Sequence, residues 1–141
     1  MKKMIYKTKV YTFQIDFMRH VSNIVYVQWM EVGRSMLLDE IGMPISQIAK
    51  QGFGPVLVET IINYKKPLEL GDEVSMEVWL SELAAATAWM EFRFYNQFGV
   101  LCASGRQRGL FIDLSSGRTR RISAEQRVLF EPYLGNGTDI N

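Results

Sequence analysis

The chain has 141 residues, a formal net charge of +1, one histidine and one cysteine. That length suits a single domain, residues 1–141, that buries about two-thirds of its unfolded surface. The balanced charge gives no support to a nucleic-acid partner, one cysteine excludes an internal disulfide, and one His with one Cys makes no metal-ligand cluster of the usual spacing.

Residues 4–13 alternate and are rich in β-branched and aromatic types, which predicts a first strand. Lys7 and Lys9 interrupt any signal-peptide core, and no apolar run nears the ~20 residues that cross a bilayer. The expectation is a cytoplasmic protein without membrane attachment. Residues 14–23 are short and polar. After them Tyr26, Met30, Gly33, Leu37 and Ile41 recur at steps of three and four, which predicts a long helix. Ser22 and Asn23 are both N-cap types at its start, and Gly42 with Pro44 stops it.

Residues 45–50 predict a short second helix. From Pro55, Val56, Val58, Thr60, Ile62 and Tyr64 fall on one face and Leu57, Glu59, Ile61 and Asn63 on the other. Both faces are largely apolar, which predicts a strand covered on both sides. Lys65-Lys66-Pro67 and Gly71-Asp72 mark a loop. Residues 73–83 and 87–95 alternate cleanly, and residues 100–113 follow a hairpin turn at Gln97-Phe98-Gly99. Cys102 in that strand reads as a small buried hydrophobe. Residues 123–134 predict a terminal helix capped by Ser123, and 135–141 a frayed tail. One helix followed by hairpin-linked strands is an α+β pattern. The apolar content on both sides of several strands predicts a homo-oligomer, dimer or tetramer.

A helix start exposes unpaired N–H groups and the positive end of the helix dipole, which can polarise a carbonyl oxygen. Asp16 lies seven residues before Asn23, near enough to fold back over that start. On this spacing alone two readings stand: Asp16 pairs with the dipole and stabilises the helix, or it works on a carbonyl held by the N–H groups.

The stretch Asp16-Phe17-Met18-Arg19-His20-Val21-Ser22-Asn23, continued by Tyr26, Trp29 and Glu31, resembles the signature of hotdog-fold acyl thioesterases. Tyr64, Pro67 and Gly71-Asp72 resemble the strand–turn–strand of the same family, and residues 105–113 with Gly117-Arg118 its last strand and turn. The similarity runs over about residues 5–122. It points to the 4-hydroxybenzoyl-CoA thioesterase and YbgC-like group, with a likeness to plant acyl-ACP thioesterases around residues 16–23. It implies an α+β hotdog fold, an antiparallel β-sheet wrapped around a long central α-helix. It also implies hydrolysis of an acyl-CoA or acyl carrier protein thioester, with no cofactor beyond the CoA of the substrate.

In that family Asp16 matches the catalytic acid, as nucleophile or general base, and the Asn23 N–H matches the group that polarises the carbonyl. His20 either orders the loop or helps to move protons. Tyr26 and Trp29 form core and pocket wall. Glu59 either enters the pocket from a neighbouring subunit or pairs with a basic residue at an edge. Arg106 and Arg108, with Arg118, Arg120, Arg121 or Lys65-Lys66 as alternatives, are the candidates for CoA phosphates. The chain departs from the family twice. Met18 stands where the plant-type motif has Asn, and Ala84-Ala85-Ala86 where the group often has a basic residue. A non-catalytic acyl-CoA-binding hotdog protein is the alternative, and a hotdog dehydratase would need a different His-centred motif.

Overall fold

The computed structural model describes residues 1–137. Six strands form one sheet: β1 (Met4–Lys9), β2 (Phe53–Tyr64), β3 (Glu73–Leu83), β4 (Thr87–Tyr95), β5 (Leu101–Asp113) and β6 (Thr119–Arg120). The order is β1-β3-β4-β5-β2, with β6 beside β5, and every pairing is antiparallel. Helices α1 (Asn23–Glu40), α2 (Ile45–Lys50) and α3 (Ala124–Phe130) complete the described fold.

The expected antiparallel sheet with helices is present. α1 has 18 residues and lies on one face of the sheet, short of the long central helix enclosed by sheet that the resemblance implies. Two glycines let it come close. A Cβ on Gly33 would meet Met76 Cε at 2.6 Å and Val78 Cγ2 at 2.7 Å, and one on Gly105 would meet Met30 Cε at 2.8 Å. The alternation of β3 accounts for the core: Val74, Met76, Val78 and Leu80 all point toward α1 and are buried. Phe92 and Phe94 of β4 continue that layer.

Three expectations change. The first strand stops at Lys9, because Tyr11 N donates to the Gln14 side chain and a 3-10 turn forms over Thr12–Gln14. β2 is an edge strand, mostly exposed, and not a covered one. A bulge at Val58 shifts its register, so Leu57 opposes Gly109 while Glu59 opposes Arg108. The bulge moves Thr60 and Ile62 to the same side as Leu57, a switch that strict alternation excludes. The terminal helix stops at Phe130 and a 3-10 turn follows over Glu131–Tyr133. Gly135 N then donates to Leu80 O at 2.9 Å and Gly137 O accepts from Lys3 Nζ at 3.3 Å, which fixes the start of the expected frayed tail. The remainder of that tail, 138–141, lies outside the described residues.

Candidate active site

The segment before α1 closes on itself. Asp16 N donates to His20 O at 2.8 Å, and Arg19 N donates to Asp16 O at 3.0 Å. The carboxylate completes the turn: Asp16 Oδ1 accepts from Met18 N at 2.9 Å and from His20 N at 3.3 Å. Short acidic side chains favour such turns because they reach their own backbone two residues on. Arg19 takes φ 64°, a left-handed conformation that costs a non-glycine residue roughly 1–2 kcal/mol. One carboxylate oxygen of Asp16 is therefore committed to the turn. Among the described residues nothing is bonded to the other, Oδ2.

The turn is tied down on both sides. Val21 N donates to Leu68 O at 2.8 Å and Ser22 N to Gln14 O at 2.9 Å. α1 begins at once. Ser22 is its N-cap residue, yet the Ser22 side chain makes no cap hydrogen bond. Val25 N is satisfied by Ser22 O at 3.0 Å. Among the described residues nothing accepts from the N–H groups of Asn23 and Ile24. Asn23 is thus the first helical residue and not the cap.

Asp16, His20 and Asn23 meet in one cavity of about 280 Å³, together with Val21, Tyr26, Tyr64 and the segment Lys65–Pro67. Edge-on aromatic contacts hold the Tyr26 ring on its wall. The Tyr26 ring meets Tyr64 and Phe94 edge-on at 5.2 Å and Trp29 at 5.7 Å. Burial, with Cys102 next in effect, pushes the Tyr26 hydroxyl up to about 12, so it stays a neutral phenol. Lys65 N and Lys66 N both donate to Cys102 O, at 2.9 and 3.0 Å, which holds the two lysines at the end of β2. Cys102 itself is buried, as expected of a small hydrophobe.

Four of the eight expected site residues therefore share the cavity: Asp16, His20, Asn23 and Tyr26. Trp29 is buried behind Tyr26 and does not line it. Arg106, Arg108 and Glu59 lie elsewhere. Gly105 faces Met30 of α1, so the alternate residues Arg106 and Arg108 point from the opposite face of the sheet. There Arg106 bonds Glu91 at 2.9 Å, Arg108 bonds Glu59 at 3.4 Å, and both guanidinium groups lie over Trp89. Within one chain these residues do not reach Asp16. Tyr64 and Pro67 are lining residues that site prediction passes over, although both belong to the motif carrying the resemblance. Lys65 and Lys66, named only as alternatives, are the basic residues at the cavity.

Among the described residues no group of three or more His, Cys, Asp or Glu side chains is placed to hold a metal. No described helix is long and apolar enough to cross a membrane.

The chain is 29% identical to a Bacillus subtilis protein provisionally named as the acyl-CoA thioesterase YneP, over 73% of this chain and 75% of that one. It is 28% identical to the chloroplastic acyl-acyl carrier protein thioesterase ATL3 of Arabidopsis thaliana, over 69% of this chain but only 53% of that one. The solved structure of BH1999, a gentisyl-coenzyme A thioesterase, superposes with a TM-score of 0.82 at 26% identity, covering 90% of this chain and 99% of that one. The description "Thioesterase-like superfamily" matches residues 10–130, from the end of β1 to the end of α3. A match of that extent takes in the acidic turn, α1 and every strand that builds the cavity, and the chain belongs to this superfamily of thioester hydrolases.

Proposed function

We propose that this protein is a cytoplasmic acyl-CoA thioesterase of the 4-hydroxybenzoyl-CoA thioesterase-like kind, with Asp16 as its catalytic carboxylate. The observation that carries the reading is the unfilled start of α1 beside an acid with one oxygen free. The N–H groups of Asn23 and Ile24 receive the thioester oxygen, in the place where an uncapped helix start concentrates positive potential. One donor of this kind is typically worth 10²–10³ in rate. Oδ2 of Asp16 then either takes a proton from the attacking water or attacks the carbonyl carbon itself. In both routes the C–S bond breaks and CoA leaves as a thiolate; direct attack leaves the acyl group on Asp16 as an anhydride, which water then hydrolyses to release the acid and restore the carboxylate. A thiol has a pKa near ~8.5, so its departure needs little protonation and no full triad. His20 lines the same cavity and orders the turn through its backbone.

Lys65 and Lys66 replace Arg106 and Arg108 as the proposed phosphate contacts, because they stand at the cavity. The phosphopantetheine arm is common to CoA and acyl carrier protein, and the likeness to ATL3 supports the carrier-protein thioester as a second donor. The chemistry calls on no cofactor beyond that arm. Among the described residues β2 leaves one edge unpaired along its 12 residues and exposes Val56, Val58 and Ile61. Such an edge invites pairing, and a homodimer built on β2 is part of the proposal.

The decisive experiment measures thiol release from a panel of benzoyl, gentisyl and fatty acyl-CoAs, in wild type and Asp16→Asn. The amide oxygen of Asn still accepts from Met18 N, so the variant keeps its turn and its melting temperature. Activity is expected to fall by about 10³-fold, the usual scale for loss of an acid–base or nucleophilic group. Equal activity in the two proteins removes Asp16 from the chemistry.

A further inference from the structure

A second cavity lies against the other half of α1. It holds about 260 Å³ and shares no lining residue with the cavity beside Asp16. Arg34, on its wall, stands roughly 16 Å along the helix from Asn23. Apart from Glu31, Arg34 and Ser35 on one stretch of α1, the lining is apolar, with Leu37 and Leu38 from α1, Leu80 from β3, Met90 from β4, Phe111 from β5 and Phe130 from α3.

One cation is set into this apolar surface. Arg34 Nη1 donates to Gln107 Oε1 at 2.5 Å. Gln107 is fully buried, the one polar side chain between Gly105 and Gly109 on the α1 side of β5, and its Nε2 donates to Thr60 Oγ1 at 3.2 Å. The two bonds fix the guanidinium from below and use one of its five N–H groups. Among the described residues no carboxylate lies within 4 Å of Arg34. Glu31, one turn earlier on the same lining, is exposed, and its attraction only opposes the burial that pulls the guanidinium down from its usual range. A half-buried guanidinium with no carboxylate in bonding contact is costly and is relieved by an anion that brings its own acceptor oxygens. Apolar walls with a few convergent polar donors are the usual make-up of a small-molecule site.

We propose that this cavity binds a medium-chain carboxylate, with the hydrocarbon among the leucines and the carboxylate on Arg34. A cavity of about 260 Å³ has room for a hydrocarbon chain of medium length. The carboxylate has two possible sources. One is a free fatty acid, the product of the hydrolysis proposed above. The other is the distal carboxyl of a dicarboxylic acyl thioester. Only the source rests on the thioesterase reading, because binding of a carboxylate is measured directly.

The test titrates decanoate, with decanol as the uncharged control, into wild type, Arg34→Met and Ala88→Leu, whose larger side chain fills the cavity. Calorimetry gives affinity, and the methyl resonances of Met90 in this cavity and Met18 beside Asp16 give position. Decanoate is expected to bind wild type and shift Met90 without shifting Met18. Arg34→Met should bind decanoate at least ~10-fold more weakly while decanol binds both proteins alike, since the loss is one charge-assisted contact. Ala88→Leu should bind neither. Absence of decanoate binding to wild type, equal decanoate affinity in wild type and Arg34→Met, or shifts confined to Met18 each overturn the proposal. Kinetics with dodecanoyl-CoA and the mono-CoA thioester of dodecanedioic acid separate the sources. A KM that rises in Arg34→Met for the diacid thioester alone assigns the distal carboxyl. Decanoate binding with both KM values unmoved assigns the free acid. Asp16→Asn retains decanoate binding, so failure of the hydrolase reading and failure of this one give different results.

Discussion

The starts of α1 and α3 carry the same residue in nearly the same backbone conformation, and they end up in opposite states. Ser22 precedes α1 at φ −64° and ψ 145°, and Ser123 precedes α3 at φ −69° and ψ 160°. Ser123 Oγ accepts from Gln126 N at 3.1 Å, and the Gln126 side chain accepts in return from Ser123 N at 2.9 Å. Ser22 does neither. Three residues after it stands Val25, which has no side-chain acceptor to return the bond, so the reciprocal box cannot form. α3 is a seven-residue helix at the C-terminal end and needs its cap to hold together. α1 is anchored by Gly33, Met30 and Trp29 against the sheet, and packing carries it without a cap. The contrast shows where a fold can leave polar groups unsatisfied: at the end of the element that packing already secures. Asn23, which carries one of those open N–H groups, lines the same cavity as Asp16.

The sharpest way to break this contrast is to close α1. Ser22→Asp supplies a carboxylate that caps the first turn and complements the dipole. Stability should rise by about 0.5–1 kcal/mol. Thioester hydrolysis should fall by about 100-fold if the donors proposed for the carbonyl oxygen are the ones taken. Thermal unfolding and thiol release on the same preparation check both halves. A variant more stable and fully active would show that the N–H groups of Asn23 and Ile24 are not the oxyanion site.

How far the sequence could be read follows the same division between local and long-range causes. β3 and β4 are recovered to the residue, because period-two alternation over nine or eleven positions has one reading. α2 is recovered because Pro44 and Gly52 bracket it. β2 misleads for a physical reason: an edge strand awaiting a partner and a strand buried on both faces are equally apolar. Its bulge at Val58 has no local signal, and it alone decides which side Thr60 faces. In the site, Asp16, His20, Asn23 and Tyr26 are legible together because they fall within eleven residues, on one turn and the helix it opens. Arg106 and Arg108 are legible as a pair on one face of β5, but which face turns outward is set by Gly105 meeting Met30, a contact across 75 residues. Arg34 has no motif. Its only mark is a charge among Met30, Gly33 and Leu37, and its partner Gln107 is found only once β5 is paired.

Removing the cap of α3 is the middle-sized change. Ser123→Ala deletes the acceptor for Gln126 N and frees the Gln126 side chain. A loss of about 1 kcal/mol is typical for a Ser cap, or roughly 4 °C in melting temperature at this chain length. Thiol release per folded molecule should stay at the wild-type level, since none of the α3 residues lines the cavity beside Asp16.

The smallest effect belongs to Ser22→Ala, and its smallness is informative. The same substitution at a working cap costs about 1 kcal/mol, but the Ser22 hydroxyl has no cap bond to lose. The bonds that hold Ser22 run through its backbone, from its N–H to Gln14 O and from Val25 N to its carbonyl, and alanine keeps both. The expected change is therefore within about 0.5 kcal/mol, the range of an ordinary surface substitution. Parallel melts of Ser22→Ala and Ser123→Ala give the comparison directly. A cost at Ser22 equal to that at Ser123 means that the hydroxyl caps α1 in solution. The helix start would then be closed in the resting protein, and the substrate would have to displace Ser22 before its carbonyl oxygen could reach the N–H of Asn23.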